Sequence, residues 1–176
     1  RVWNPDWLAC CRISTGTAWI GFLRVEMSAE ENGNIDVQTL DPRSEECAEW
    51  DRFVASQQAG KIFHASHWAC AVAQALGHDP YILVARRNGN VVGGVPLTHV
   101  RSRLFDNALI SNGFAVEAGP LGARNAVATA LDREAVALGE RLGVDFLEYR
   151  MRERRNAEWV VRDGLYATFS KPLSSD

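Results

Sequence analysis

The sequence predicts an α+β domain in which a mixed, mostly antiparallel sheet is flanked by helices. The segment Tyr81–Leu97 consists of two apolar runs that flank Asn88-Gly89. This dipeptide best tolerates the positive φ angles of a two-residue type I′ turn, so the segment is predicted to be a β-hairpin. Helical apolar spacing precedes the hairpin over 43–58 and follows it over 123–142. Strands with helices on both sides in the chain are typical of a sheet covered by helices.

The composition fits one globular domain. The chain has 176 residues, of which 47% are apolar and 23% are charged, and these values are ordinary for such a domain. Its net charge of -3 does not favour a nucleic-acid-binding protein. The four cysteines have no metal-ligand spacing, so we expect no metal site and a reducing cytoplasmic compartment. No apolar run is long enough for a membrane-spanning helix.

The N-terminal region, residues 1–34, is expected to be a poorly ordered extension. Residues 1–26 contain three tryptophans but have neither a helical nor a strand period, and Met27 opens a polar stretch. A signal peptide is disfavoured, because Ser, Thr and Gly interrupt the apolar residues over 13–23. A genuine structural arm is the other alternative.

The elements before the hairpin are a strand and two helices. Ile35–Leu40 alternates and predicts a strand, and Asp41 is expected to cap a helix over Arg43–Gln58. Ser66 is expected to cap a second helix, His67–Leu76, which Gly77 ends. Trp50 and Trp68 lie on the apolar stripes of these helices, which favours core positions over sugar-stacking platforms.

Two features inside the hairpin point to irregularity. Gly93-Gly94 predicts a bulge or a close approach by another group, since glycine weakens a strand. Pro96 cannot donate a ladder hydrogen bond, so an edge or a bulge is expected there.

The second half of the chain supplies the rest of the sheet and a long helix. We expect strands at Ala108–Ser111 and Val144–Tyr149, separated by a helix over Ala123–Leu142 that Gly143 ends. Segments 159–161 and 166–171 are expected to pair across a turn at Asp163-Gly164.

Several segments together resemble a known family. They are Phe63–Trp68, Gly77–Tyr81, Leu83–Arg86, Gly93–Leu97, Val100–Phe105, Gly119–Leu121, Leu142–Asp145 and Leu147–Arg150. In order and type they resemble the N-terminal half of FemAB-related proteins, in particular the subgroup associated with exosortase and extracellular-polysaccharide gene clusters. The resemblance implies a GNAT-like acyltransferase domain over 35–173, with 174–176 as a truncated tail.

The resemblance also implies a function. Family members transfer an aminoacyl or acyl group to an amine, so the acceptor is expected to be a cell-envelope or exopolysaccharide precursor. They usually carry two GNAT-like domains, and a single domain is expected to be incomplete for catalysis. The acyl donor, aminoacyl-tRNA or acyl-CoA, would then involve the second domain, with no cofactor bound in this one; the net charge does not indicate tRNA binding. The alternative is a non-catalytic GNAT-like module that recognises a substrate or partner.

The loop after Ser111 departs from the family. Ser111-Asn112-Gly113-Phe114 stands where relatives have Ser-x-Pro-Phe, and Glu117-Ala118-Gly119-Pro120 stands where they have Tyr-Gly-Gly-Pro. The Gln/Arg-x-x-Gly-x-Gly/Ala string that cradles the pyrophosphate of coenzyme A is absent. Substrate contacts over 111–120 are therefore the part of the resemblance that transfers least.

The sequence identifies no catalytic residue, and it offers six candidates for substrate binding. They are His64, Trp68, Arg101, Ser111, Glu148 and Arg150.

Each candidate has a plain structural alternative. His64 is either a hydrogen-bonded residue at a helix entry or a substrate contact and general base. Glu148 and Arg150 lie on one face of a strand. They form either a structural ion pair with Arg101 or Arg103, or a cluster that binds an anionic acceptor. The basic run from Arg150 to Arg155 is either a solvated surface or a contact with tRNA or a second domain.

Overall fold

The structure is a computed structural model that describes residues 9–14, 34–102, 107–122, 124–152, 158–162, 169 and 171. Seven strands occur in these residues: β1 Ala9–Ser14, β2 Ile35–Leu40, β3 Asp79–Arg87, β4 Asn90–Val100, β5 Ala108–Ser111, β6 Phe146–Met151 and β7 Val160–Arg162. The helices are α1 Cys47–Ser56, α2 Ser66–Leu76 and α3 Asn125–Leu142, with a 3-10 turn at Ile62–His64.

The strands form one mixed sheet in the order β2-β3-β4-β5-β6-β1-β7. All neighbours are antiparallel except β5 and β6, which are parallel. Strands β2 to β6 form its main body. Helix α3 packs on one face, where Leu131 meets Leu83 and Leu147. Helix α1 packs on the other face, where Trp50 meets Ile82. The predicted α+β architecture is confirmed, and it is consistent with a single GNAT-like domain.

The predicted hairpin is confirmed. Strands β3 and β4 pair antiparallel from Asp79 opposite His99 to Arg87 opposite Asn90. The turn residues Asn88 and Gly89 have φ angles of 51° and 82°. Both values are positive, as a type I′ turn requires.

Gly94 is the point where α1 approaches the sheet, as the glycine pair predicted. A Cβ at Gly94 would lie 2.5 Å from a ring atom of Trp50 and 2.6 Å from the carbonyl oxygen of Leu83. The register also shifts between Ala85 and Arg86, so a bulge accompanies the close approach. Only glycine gives the indole room at this position.

The expectation of an edge at Pro96 is wrong, because β4 lies between β3 and β5. The carbonyl oxygen of Pro96 accepts the N–H of Asn112 at 3.3 Å, so this side of Pro96 faces the loop beyond β5. No regular ladder partner lies there, and the missing proline N–H leaves no carbonyl unpaired in the ladder.

The two early helices begin differently from the prediction. Helix α1 starts at Cys47, because Asp41 instead forms a turn in which its Oδ1 accepts the N–H of Arg43 at 2.9 Å. Helix α2 has Ala65 at its N-cap. Its first N–H is capped by another element, since Asp51 of α1 accepts the N–H of Ser66 at 2.8 Å.

Strand β1 lies within the region expected to be a poorly ordered extension. It pairs with β6 along all six of its residues and with β7 along three of them. At 9–14 the structure therefore agrees with the structural-arm alternative. Strand β7 pairs with β1, whereas most of its expected partner, 166–171, lies outside the described residues. The domain boundaries at 34–35 and 173–174 stay predictions.

Candidate functional site

The backbone pairing of the parallel strands β5 and β6 ends after a short stretch. Their register runs only from Ala108 opposite Phe146 to Ile110 opposite Glu148. Beyond it, the hydroxyl of Ser111 accepts the N–H of Arg150 at 2.7 Å, where a backbone carbonyl would accept in a continued ladder. We call the loop 111–122 together with Glu148 and Arg150 the divergence site.

The loop 111–122 is bonded to the end of β6 and to β4. The N–H groups of Ala118 and Gly119 both donate to the carbonyl oxygen of Arg150, at 3.2 Å and 3.0 Å. Leu121 forms a two-way bridge with Gly94 of β4, with N···O distances of 2.8 Å and 3.0 Å. The N–H groups of Ala118, Gly119 and Leu121 are therefore bonded to the protein and do not point at open space.

Glu148 and Arg150 form an ion pair with each other. Nε of Arg150 lies 2.9 Å from Oε1 of Glu148, and its Nη1 donates to the carbonyl oxygen of Ala115 at 3.2 Å. The two side chains are only 30% (Arg150) and 16% (Glu148) exposed. The expected partners were Arg101 or Arg103; Arg101 pairs elsewhere, and Arg103 lies outside the described residues.

A second ion pair lies next to the first. Arg152, which follows β6, pairs with Glu117 of the loop. Within the described part of the basic run, Arg150 and Arg152 thus both contact carboxylates. The site holds two positive and two negative side chains, so it is polar but nearly neutral.

His64 connects the 3-10 turn to the divergence site. It is 4% exposed; its Nδ1 accepts the N–H of Lys61 at 3.1 Å, and its Nε2 lies 3.1 Å from the carbonyl oxygen of Gly119. A carbonyl accepts only, so Nε2 carries the proton. Burial lowers the pKa of the ring, while the bonds with Gly119 and Lys61 oppose that shift. Both ring nitrogens are occupied, so proton transfer through His64 would require one of these bonds to open.

Trp68 and Asn112 hold the loop from the α2 side. Nε1 of Trp68 donates to the carbonyl oxygen of Gly113 at 3.2 Å. Nδ2 of Asn112 donates to the carbonyl oxygen of Phe63 at 2.7 Å, and its Oδ1 accepts from the hydroxyl of Thr98 at 3.0 Å. Asn112 is fully buried, and no local pattern marked it, because its partner Phe63 is 49 residues away in the chain.

Two apolar side chains of the loop face solvent. Phe114 is 63% exposed and has a φ angle of 60°, and Val116 is also exposed. A positive φ is costly for a bulky residue, and such strain is concentrated at functional sites. The loop thus presents an exposed aromatic ring close to half-buried charges.

Arg101 is the one predicted residue that lies apart from the divergence site. It follows β4 near the start of β5, whereas Ser111 ends β5. Its Nη2 lies 2.7 Å from Oδ2 of Asp79, and the two side chains are 62% (Arg101) and 44% (Asp79) exposed. All the other predicted residues border the loop 111–122 or contact it.

Two general features complete the description. Within the described ranges, no group of three or more His, Cys, Asp or Glu side chains could hold a metal ion. No helix among the same residues is long and apolar enough to cross a membrane.

The thiols of Cys47 and Cys70 are poor candidates for nucleophilic chemistry. Cys47 is buried and Cys70 is half-buried, and neither forms a disulfide. Burial raises the pKa of both thiols. A raised pKa disfavours the thiolate, which is the reactive form.

Comparison with known proteins gives a structural likeness only. No family model matches the chain, and no curated protein matches it. Among solved structures, the chain is similar to a functionally unknown conserved protein from Staphylococcus epidermidis, with 13% sequence identity and a TM-score of 0.45. The match covers 89% of this chain and 58% of that one. The chain therefore spans little more than half the length of that protein.

Proposed function

We propose that the chain is one GNAT-like domain of a FemAB-related N-acyltransferase, and that the divergence site binds the acceptor substrate. The acceptor is an amine of a cell-envelope or exopolysaccharide precursor. The acyl donor, aminoacyl-tRNA or acyl-CoA, is held by a second domain. The observation that carries the proposal is the early end of the pairing between β5 and β6, where the loop bonds to Arg150 and where Glu148 and Arg150 form their ion pair.

The hydrogen bonding of the loop supports a binding site for the acyl donor in another domain. Acyl transfer needs donors aimed at the developing oxyanion and a cleft that orients both substrates. Here the N–H groups of Ala118 and Gly119 are already bonded to Arg150. A pantetheine chain that bonded to these N–H groups would have to break their bonds to Arg150. A small polar acceptor can bind to the side chains of the site and leave these bonds intact.

The charges of the site fit an acceptor that carries both signs. Among the described residues Nη2 of Arg150 has no hydrogen-bond partner, whereas Nε and Nη1 are occupied, so Nη2 can donate to a phosphate or carboxylate. Glu148 offers the carboxylate that suits an ammonium group. The exposed ring of Phe114 supplies an apolar surface for a sugar or lipid-linked portion.

One observation favours the alternative, a non-catalytic binding module. Both ring nitrogens of His64 are bonded to backbone groups, so this ring is not free to take the amine proton. A module of this kind would use the same site to recognise a ligand without transferring a group.

Ligand binding tests the proposal directly. Isothermal titration of the chain with an aminosugar phosphate, a sugar nucleotide and a coenzyme A ester is expected to show heat with the first two and none with the third. Arg150→Lys keeps the charge but loses the planar fork, so it should weaken binding about tenfold or more. Arg101→Lys is the matched control, because Arg101 is exposed at the other end of β5.

Two outcomes would count against the proposal. Binding of the coenzyme A ester, with competition by the sugar nucleotide, would place the donor in this domain. Equal effects of the two lysine variants would remove the divergence site from acceptor binding. Amide formation by the product of the complete reading frame, tested with aminoacyl-tRNA and acyl-CoA, separates the enzyme from the module.

A further inference from the structure

Within the described residues, the outer edge of β2 has no partner strand. β2 is the first strand of the sheet and pairs with β3 along all six residues, from Ile35 opposite Arg87 to Leu40 opposite Ile82. In the described part of the chain no strand pairs with its other edge. An antiparallel strand points the N–H and C=O groups of every second residue away from its partner, so a row of backbone donors and acceptors faces outward.

This edge lacks the usual protection against strand addition. Edge strands are commonly blocked by proline, by a bulge or by several charged side chains. β2 has the sequence IDVQTL, which contains no proline and only one charged residue, Asp36. Its register with β3 is continuous, so no bulge twists it away.

An open groove runs beside β2 on the α1 side. Its volume is about 770 Å³, and Gln38, Thr39 and Leu40 form one wall. The other wall includes Glu45, Glu46 and Glu49, which lie just before α1 and in its first turn. The groove therefore provides space for the side chains of a strand added to the edge.

The free charges of the groove are mainly negative. Glu49 is neutralised by Arg86, whose Nη1 lies 2.7 Å from its Oε2. Glu45 and Glu46 are exposed, and no ion pair within the described residues involves either of them. Arg52 is the single opposing exposed cation among the lining residues.

We propose that the β2 edge binds an extended basic segment of another protein, which adds to the sheet as a strand and places Lys or Arg side chains beside Glu45 and Glu46. Backbone hydrogen bonds supply affinity in such strand addition, and alternate side chains supply specificity. Charge repulsion disfavours a second copy of this chain as the occupant of the edge. Two-fold pairing of β2 with itself would place two α1 helices, each with its acidic groove, on the same face.

The test uses capped peptides as probes. One alternates Lys with Val and Thr, a second replaces each Lys with Glu, and a third is the Lys peptide with alternate backbone amides N-methylated. Affinity is measured by fluorescence anisotropy, and amide hydrogen exchange locates the bound strand. The Lys peptide is expected to bind and to slow exchange within 35–40 but not within β7, the opposite edge. The other two peptides should not bind.

A matched pair of variants tests the charge. Glu45→Gln with Glu46→Gln changes the net charge by the same amount as Glu140→Lys, which lies exposed on α3 at the other face of the sheet. The double variant should weaken binding of the Lys peptide about five- to tenfold at low salt, and Glu140→Lys should leave it unchanged.

Four results would overturn the proposal. They are absence of binding, equal binding of the Glu peptide, exchange of the outward-facing amides within 35–40 that is already slow in the free monomer, and slow exchange of these amides that instead develops with protein concentration. The third would mean that the chain covers its own edge, and the fourth would identify a second copy as the occupant.

Discussion

An asparagine bonds at each end of β5, but the ion pairs at the two ends differ in their exposure to solvent. At the Ser111 end, Asn112 is fully buried and Glu148 and Arg150 are half-buried. At the Ala108 end, Asn107 donates to the carbonyl oxygen of Gly143 at 2.7 Å and accepts from His99. The ion pair at that end, Arg101 with Asp79, is exposed. An asparagine side chain bonds at each end of the strand, and of the two ends it is the divergence site that holds its ion pair partly out of water.

The difference has an energetic meaning. An exposed ion pair contributes about 0–1 kcal/mol, because water competes for both partners. A half-buried pair adds little net stability when it is intact, but removing one partner leaves a poorly solvated charge. The end with the buried network should therefore respond more strongly to substitution.

The largest expected effect is that of Asn112→Ala. It leaves the carbonyl oxygen of Phe63 and the hydroxyl of Thr98 without their buried partner, so the free energy of unfolding should fall by about 2–4 kcal/mol. Asn107→Ala is the counterpart at the other end and should cost about 1–2 kcal/mol, because water reaches that site. Urea denaturation measures the free energy of unfolding of both variants, and equal losses would contradict the difference between the two ends.

The next effect is that of Glu148→Ala. The Arg150 guanidinium loses its carboxylate while it stays half-buried, so a loss of about 1–2 kcal/mol is expected. The double variant Glu148→Ala with Arg150→Ala should be less destabilised than the sum of the two single variants. Additive losses in chemical denaturation would show that the pair is not coupled.

A third effect concerns pH and His64. Burial lowers the pKa of its ring below the usual 6.5, so below that pH the unfolded chain takes up a proton that the folded chain does not. The free energy of unfolding should fall as the pH drops from about 7.5 to about 5.5, with an uptake of up to about one proton on unfolding. His64→Gln should flatten this dependence, and His67→Gln, at an exposed position, should not. An unchanged slope in His64→Gln would contradict the assignment.

The smallest effect is expected at the surface pair. Arg101→Ala should change the free energy of unfolding by less than about 0.5 kcal/mol, and the change should shrink further in high salt. A loss comparable to that of Glu148→Ala would mean that the two ends do not differ as described.

The parts of the fold that local chemistry determines were predictable from the sequence. Asn88-Gly89 specifies its turn, and Gly143, with a φ of 66°, ends α3 where the pattern placed the end. Strand alternation put Glu148 and Arg150 on one face, and the structure places them in contact.

The remainder depends on which distant segments meet. Asn112 reaches Phe63 only because α2 and the loop pack together, and Asp51 caps α2 across a gap of 15 residues. The Glu148–Arg150 pair was not among the expected ion pairs, because alternation tells which face a side chain occupies but not which neighbour it bonds. Strand β1 has no periodic pattern of its own, so its place beside β6 could not be predicted.

The packing of Trp50 against Gly94 links the centre of the sheet to the groove beside β2. The indole rests where a methyl group would lie 2.5 Å from its ring, and its Nε1 donates to the carbonyl oxygen of His64 at 2.8 Å. Adding one carbon at position 94 would push α1 outward and shift the acidic wall beside β2. The shape of the groove beside β2 would then depend on a residue that is itself buried.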